Sequence, residues 1–105
     1  LPDKVTVMKL VVNIELLNSF AIAETDTFSK KIKKQEFKQA YHKIMQVVYP
    51  QLKDNPFYGP NIKILKGKFY GIYRYRIGKY RLFYTIDAAL MVGIVINISH
   101  RQDSY

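Results

Sequence analysis

Apolar residues recur at helical spacing between Lys33 and about Tyr49. Phe37, Tyr41, Ile44, Met45, Val48 and Leu52 follow at intervals of four, three, one, three and four, which places them on one face of a helix. Lys34, Glu36, Lys38, Gln39, Lys43 and Gln46 fill the other faces. Pro50 predicts an end near Tyr49, because proline disfavours the helical conformation of the residue before it. Upstream, residues 19–24 read as a short strand, and Thr25 or Asp26 offers an N-cap for a helical turn. Residues 1–17 are apolar and β-branched, and their pattern fits a strand, a helix or a loose arm. Asn55-Pro56 and Gly59-Pro60 mark a loop ahead of a sheet.

The period changes to two after Ile72. Gly78-Lys79 fits a two-residue hairpin turn with glycine first. It pairs Ile77 with Tyr80, Arg76 with Arg81, Tyr75 with Leu82, Arg74 with Phe83 and Tyr73 with Tyr84. Side chains alternate between the faces of a strand, so Tyr73, Tyr75, Ile77, Tyr80, Leu82 and Tyr84 share the face that covers the helix. Arg74, Arg76, Arg81 and Phe83 gather on the other. Directly opposed arginines repel, and an anion between them would remove the penalty. A turn near residues 87–90 leads to MVGIVINIS (91–99), apolar on both faces as a covered central strand should be. Pairing Asp87 with Leu90 would bring His100 out on the arginine face.

The fold class that follows is α+β: two N-terminal helical segments packed on a small, mainly antiparallel twisted sheet. The 105 residues suit one domain, divided here into an extension (1–18) and a folded unit (19–105).

A formal charge of +9 adds an anionic partner to this picture. The charge is concentrated: from Lys66 to Tyr84 there are six cations, seven aromatics and no acid, a composition suited to a phosphate backbone and stacked bases. The chain has no cysteine and only two distant histidines, His42 and His100, so no thiolate or local histidine metal site is expected, and no cofactor is called for. No apolar run reaches membrane-spanning length. Residues 10–23 loosely imitate a signal peptide, but Asn13, Glu15 and Asn18 interrupt them. A cytoplasmic protein is the expectation.

RNA carries its own nucleophile, the 2′-hydroxyl. Cleavage needs that group activated, the phosphorane charge stabilised and the leaving 5′-oxygen protonated. Arg74, Arg76 and Arg81 offer planar forked donors for phosphate oxygens. His100 has an unperturbed pKa suited to proton transfer near neutrality. Tyr105 could stack on a base or donate a proton. Lys66, Lys68, Lys79 and Phe83 are the candidate RNA-binding residues around them. Arginine stays protonated and makes a poor base, so the general base is unassigned. Each residue also has an ordinary structural explanation: solvated sheet arginines, a capping histidine, a frayed terminal tyrosine, core tyrosines. Lys30, Lys31, Lys33 and Lys34 read as a solvated face or a site for an acidic partner.

The order of motifs resembles the RelE/ParE toxin superfamily over about residues 19–105. Leu65-Lys66-Gly67, Tyr73-Arg74-Tyr75-Arg76, Tyr80-Arg81-Leu82-Phe83-Tyr84, and the terminal His100-Arg101 with Tyr105 carry the resemblance. It implies a type II toxin–antitoxin toxin of the RelE branch, an endoribonuclease that cuts mRNA in the ribosomal A site. Its implied partners are a cognate antitoxin, the ribosome with its 16S rRNA, and mRNA, with no membrane and no metal. Arg74, Arg76, Arg81 and Arg101 would stabilise the phosphate, and Tyr105 would stack on a base or donate a proton. The alternative is a ParE-like toxin that poisons DNA gyrase without nuclease chemistry. The chain departs from the pattern in two ways. Arginines stand at 74 and 76, where RelE resembles a lysine-bearing site. Lys63 stands where YoeB-type toxins carry a glutamate base, so His100 lacks its usual carboxylate partner.

Overall fold

The structure, a computed structural model, describes residue 3, residues 5–7 and residues 19–103. Its sheet has six strands: β1 (Val5–Val7), β2 (Ala21–Thr25), β3 (Ile62–Ile64), β4 (Tyr73–Ile77), β5 (Tyr80–Asp87) and β6 (Val92–His100), in the spatial order β1-β2-β6-β5-β4-β3. Only β2 and β6 run parallel; the other neighbours are antiparallel. The helices are α1 (Asp26–Ile32), α2 (Lys38–Lys43) and α3 (Tyr49–Asp54). This is the expected α+β class. The division at residue 18 falls largely outside the described residues, although Val5–Val7 already pairs with β2.

Thr25 caps α1. Its hydroxyl accepts the Phe28 N–H at 3.2 Å, satisfying one of the amides that a helix start leaves without a partner. Asp26 in the first turn and Lys30 and Lys31 in the last complement the helix dipole. Phe28 and Ile32, four residues apart, carry its buried side.

The second helical segment is not one regular helix ending at Tyr49. It opens as a 3₁₀ turn (Gln35–Phe37), continues as α2, widens into a π turn (Ile44–Val48) and runs on through Pro50 as α3. The wide turn is the reason. The Tyr49 N–H reaches back to Ile44 O, so the ladder is re-phased just before Pro50. The proline then occupies the first turn of a new helix, where it is tolerated. Re-phasing also rotates the apolar stripe. Phe37, Ile44, Val48 and Leu52 are buried as their spacing predicts, but Met45 is 43% exposed and Tyr49 takes a core place instead.

The β4–β5 ladder has the predicted register at all five pairs, Ile77 opposite Tyr80 through Tyr73 opposite Tyr84. Gly78 opens the turn at φ 54°, in the left-handed region that favours glycine. Tyr75, Ile77, Leu82 and Tyr84 are buried against the helices, with Tyr73 and Tyr80 packed partly buried at the margin. The tyrosine hydroxyls within this core have acceptors: Tyr75 donates to Gln51 Oε1 and Tyr84 to the Pro56 carbonyl, each at 2.6 Å. Glu24 is 5% exposed yet satisfied, taking a 2.6 Å bond from Tyr49 and a 3.0 Å bond from Tyr41.

The β5–β6 hairpin departs from expectation. Asp87 pairs with Val92, not Leu90, and a bulge follows: Tyr84 lies opposite Val95 but Phe83 lies opposite Asn97. The extra residue reverses the face of everything after it. His100 therefore pairs with Tyr80 and emerges on the helix side of the sheet, not with the arginines.

Candidate active site

The arginine face forms as its alternation predicts. Arg76 is directly opposite Arg81, and Arg74 lies two residues away on β4. The 3₁₀ turn Arg101–Asp103 adds a fourth guanidinium; the Arg101 N–H donates to Lys79 O at 2.7 Å, tying this turn to the β4–β5 hairpin. Partial burial, then the charges of Arg81, Arg76 and Arg101, hold the Arg74 guanidinium below its usual pKa. The Nε atoms of Arg74 and Arg81 are buried without a hydrogen-bond partner. Among the described residues no acid pairs with these arginines. The face is thus a cluster of mutually repelling cations with no acid to balance it, which an anion would relieve.

Phe83 shares this face by register but is 1% exposed. It cannot offer its ring to a base, contrary to the expectation. Alternation assigns a side chain to a face and says nothing of what covers that face.

The candidate lysines divide. Lys79 sits in the hairpin turn, its ammonium 5.5 Å from the Tyr80 ring centroid, and lines a groove with Arg81, His100, Arg101 and Gln102. Lys66 and Lys68 are exposed in the loop that enters β4, with Lys68 over the Phe69 ring. They lie at the other end of the ladder from Lys79. Tyr105 is outside the described residues.

His100 rejoins the site from the opposite side of the sheet. Because β5 begins at Tyr80 and β6 ends at His100, the two faces meet at this end in the groove that also holds Arg81 and Arg101. The imidazole packs against Phe37 and Tyr80, with ring centroids 5.5 and 5.2 Å away. Its Nε2 lies 3.2 Å from Glu36 Oε2. This carboxylate comes from the turn ahead of α2, whereas Lys63 on β3 brings none. No local spacing signals this pair, whose members are 64 residues apart. Among the described residues no histidine–carboxylate cluster fit for a metal occurs, and no helix is long and apolar enough to cross a membrane.

The arrangement can bind a phosphodiester at Arg81 and Arg101 with an imidazole at the same groove. The family model described as the ParE toxin of the type II toxin–antitoxin system parDE matches residues 21–105. Among solved structures, the chain is similar to the toxin–antitoxin complex RelBE2 from Mycobacterium tuberculosis, with 21% identity, TM-score 0.64, and coverage of 83% of this chain and 97% of that one. It is also similar to the RelE–RelB complex from Pyrococcus horikoshii, with 20% identity, TM-score 0.58, and coverage of 77% and 93%. No curated protein matches. At these identities the structural likeness speaks to the fold.

Proposed function

The chain belongs to the ParE toxin family of type II toxin–antitoxin systems, and from that premise we propose that it is a ribosome-dependent mRNA endonuclease of the RelE kind, held inactive by a cognate antitoxin. The observation that carries this reading is the shared groove: Arg81 and Arg101 line it together with an imidazole that has a carboxylate partner. A surface that only binds a protein target has no use for a proton-transfer group at its phosphate site.

In this reading Arg74, Arg76, Arg81 and Arg101 hold the scissile phosphate and stabilise the phosphorane. Lys66, Lys68 and Lys79 hold the flanking backbone, and Tyr105 stacks on the reactive nucleotide or donates a proton. The 2′-oxygen attacks phosphorus, the bond to the 5′-oxygen breaks, and a cyclic phosphate and a free 5′-hydroxyl remain. The toxin acts in the cytoplasm, where ribosomes present the message, and is neutralised there by its antitoxin, as the paired proteins of the similar structures suggest.

The second reading, gyrase poisoning, is favoured by the ParE family model that matches residues 21–105. Primer extension on mRNA from a translating extract separates the two. Codon-positioned ends that vanish with Arg81→Ala and Tyr105→Ala support the nuclease. Intact mRNA together with trapped gyrase–DNA cleavage complexes overturns it.

A further inference from the structure

We infer that Glu36 is the positioning residue that makes His100 the general base, and so supplies the function left open by Lys63. The inference rests on the nuclease reading above. An ionised carboxylate only accepts hydrogen bonds, so the 3.2 Å contact assigns the proton to His100 Nε2. In the neutral imidazole Nδ1 is then the basic nitrogen.

The ring is fixed from three sides. Phe37 and Tyr80 pack against it and against each other at 5.8 Å, while Glu36 holds its outer edge. Glu36 is itself tied down, because the Tyr80 hydroxyl donates to the Glu36 carbonyl at 3.0 Å. The bulge in the β5–β6 ladder is what makes the pair possible: in an unbroken register His100 would face away from the helices. Lys79, Arg81 and Arg101, from the hairpin and the terminal turn, line the same groove as His100. They place substrate phosphate there without competing as proton acceptors, since each is a cation.

The step balances as follows. Nδ1 of His100 takes the 2′-hydroxyl proton as the 2′-oxygen–phosphorus bond forms. The bond to the 5′-oxygen breaks with its electron pair on oxygen, which takes a proton from water, and the imidazolium returns its proton to the solvent. Glu36 stabilises the imidazolium formed in between and touches no reacting atom.

The test measures cleavage of mRNA on programmed ribosomes by the native toxin and by Glu36→Ala, Glu36→Gln, His100→Ala, Arg81→Ala and the Glu36→Ala/His100→Ala double variant. Glu36→Ala should lower kcat by roughly tenfold or more with KM within about twofold, as loss of a positioned base partner does. Glu36→Gln, whose amide oxygen still accepts from Nε2, should recover part of this. In the His100→Ala background Glu36→Ala should remove nothing further, the non-additivity of two groups acting as a unit. The inference is overturned if Glu36→Ala keeps native kcat while Arg81→Ala is inactive. An equal loss with and without His100 also overturns it. A native toxin that cuts no message at all defeats the nuclease reading itself, a distinct outcome. Glu36 has a half-exposed side chain, so the variants keep the core intact.

Discussion

Arg76 and Arg81 stand directly opposite each other in the β4–β5 ladder, a like-charge pair at the centre of the basic face. Such pairs destabilise a sheet. Arg76, the exposed member, is the one to replace. Arg76→Thr should raise the urea midpoint at low ionic strength and lose that gain in molar salt, where the repulsion is screened. The same variant should bind RNA more weakly, with the slope of log affinity against log salt shallower by about 0.7–0.9, one phosphate contact. Unchanged stability at low salt would show that the pair carries no strain.

Tyr49 and Glu24 make the opposite kind of contact. Tyr49→Phe removes the 2.6 Å donor to a buried carboxylate and should cost about 1–3 kcal/mol, since the acceptor stays buried. Tyr41→Phe should cost less, because Tyr41 is only partly buried. Equilibrium urea unfolding of both variants provides the comparison.

Alkali should unfold the protein through its buried tyrosines. Burial, then the Glu24 charge and hydrogen bond, push the Tyr41 hydroxyl up to about 12, and burial pushes Tyr49 and Tyr84 up as well. A raised pKa means that the folded state holds the proton more tightly than the unfolded chain does. The stability from these groups is therefore complete below about pH 10, the unfolded value, and falls as pH rises through the folded values. Tyrosinate absorbance should show a late class of tyrosines that titrates together with loss of helical circular dichroism. Tyr41→Phe should flatten the pH dependence between about 10 and 12. A single early titration that precedes unfolding would contradict this.

Gly78→Ala tests the hairpin. A Cβ there meets nothing within 4 Å, so its cost is backbone strain alone, about 1 kcal/mol at φ 54°. Gly78→Asn should recover part of the loss, because asparagine enters the left-handed region more readily. Thermal unfolding of the three proteins should rank them Gly, Asn, Ala.

The parts legible from sequence are those fixed by local rules. The register from Tyr73 to Tyr84 follows from a glycine-led turn and strict alternation, and it delivered the arginine face. The helical stripe follows equally, and the cap at Thr25 is one of the two that the sequence offers. What escaped depends on one-residue departures from regularity. The π turn at Ile44–Val48 carried the helix past Pro50 and exchanged Met45 for Tyr49 in the core. The bulge at Phe83/Tyr84 moved His100 across the sheet. Neither leaves a compositional trace, because an extra residue in a ladder looks like any other. The Glu36–His100 contact joins distant segments and depends on that bulge.

The bulge also divides β6 into two rulers with separate origins. Residues 92–95 pair with both β5 and β2, whereas residues 97–100 pair only with β5. Between them Ile96 has no register partner on β5. The scaffold and the chemical end of the same strand therefore keep separate registers. A lineage could lengthen or shorten the chain at Ile96 while leaving the parallel seam, and the partner of His100, where they are.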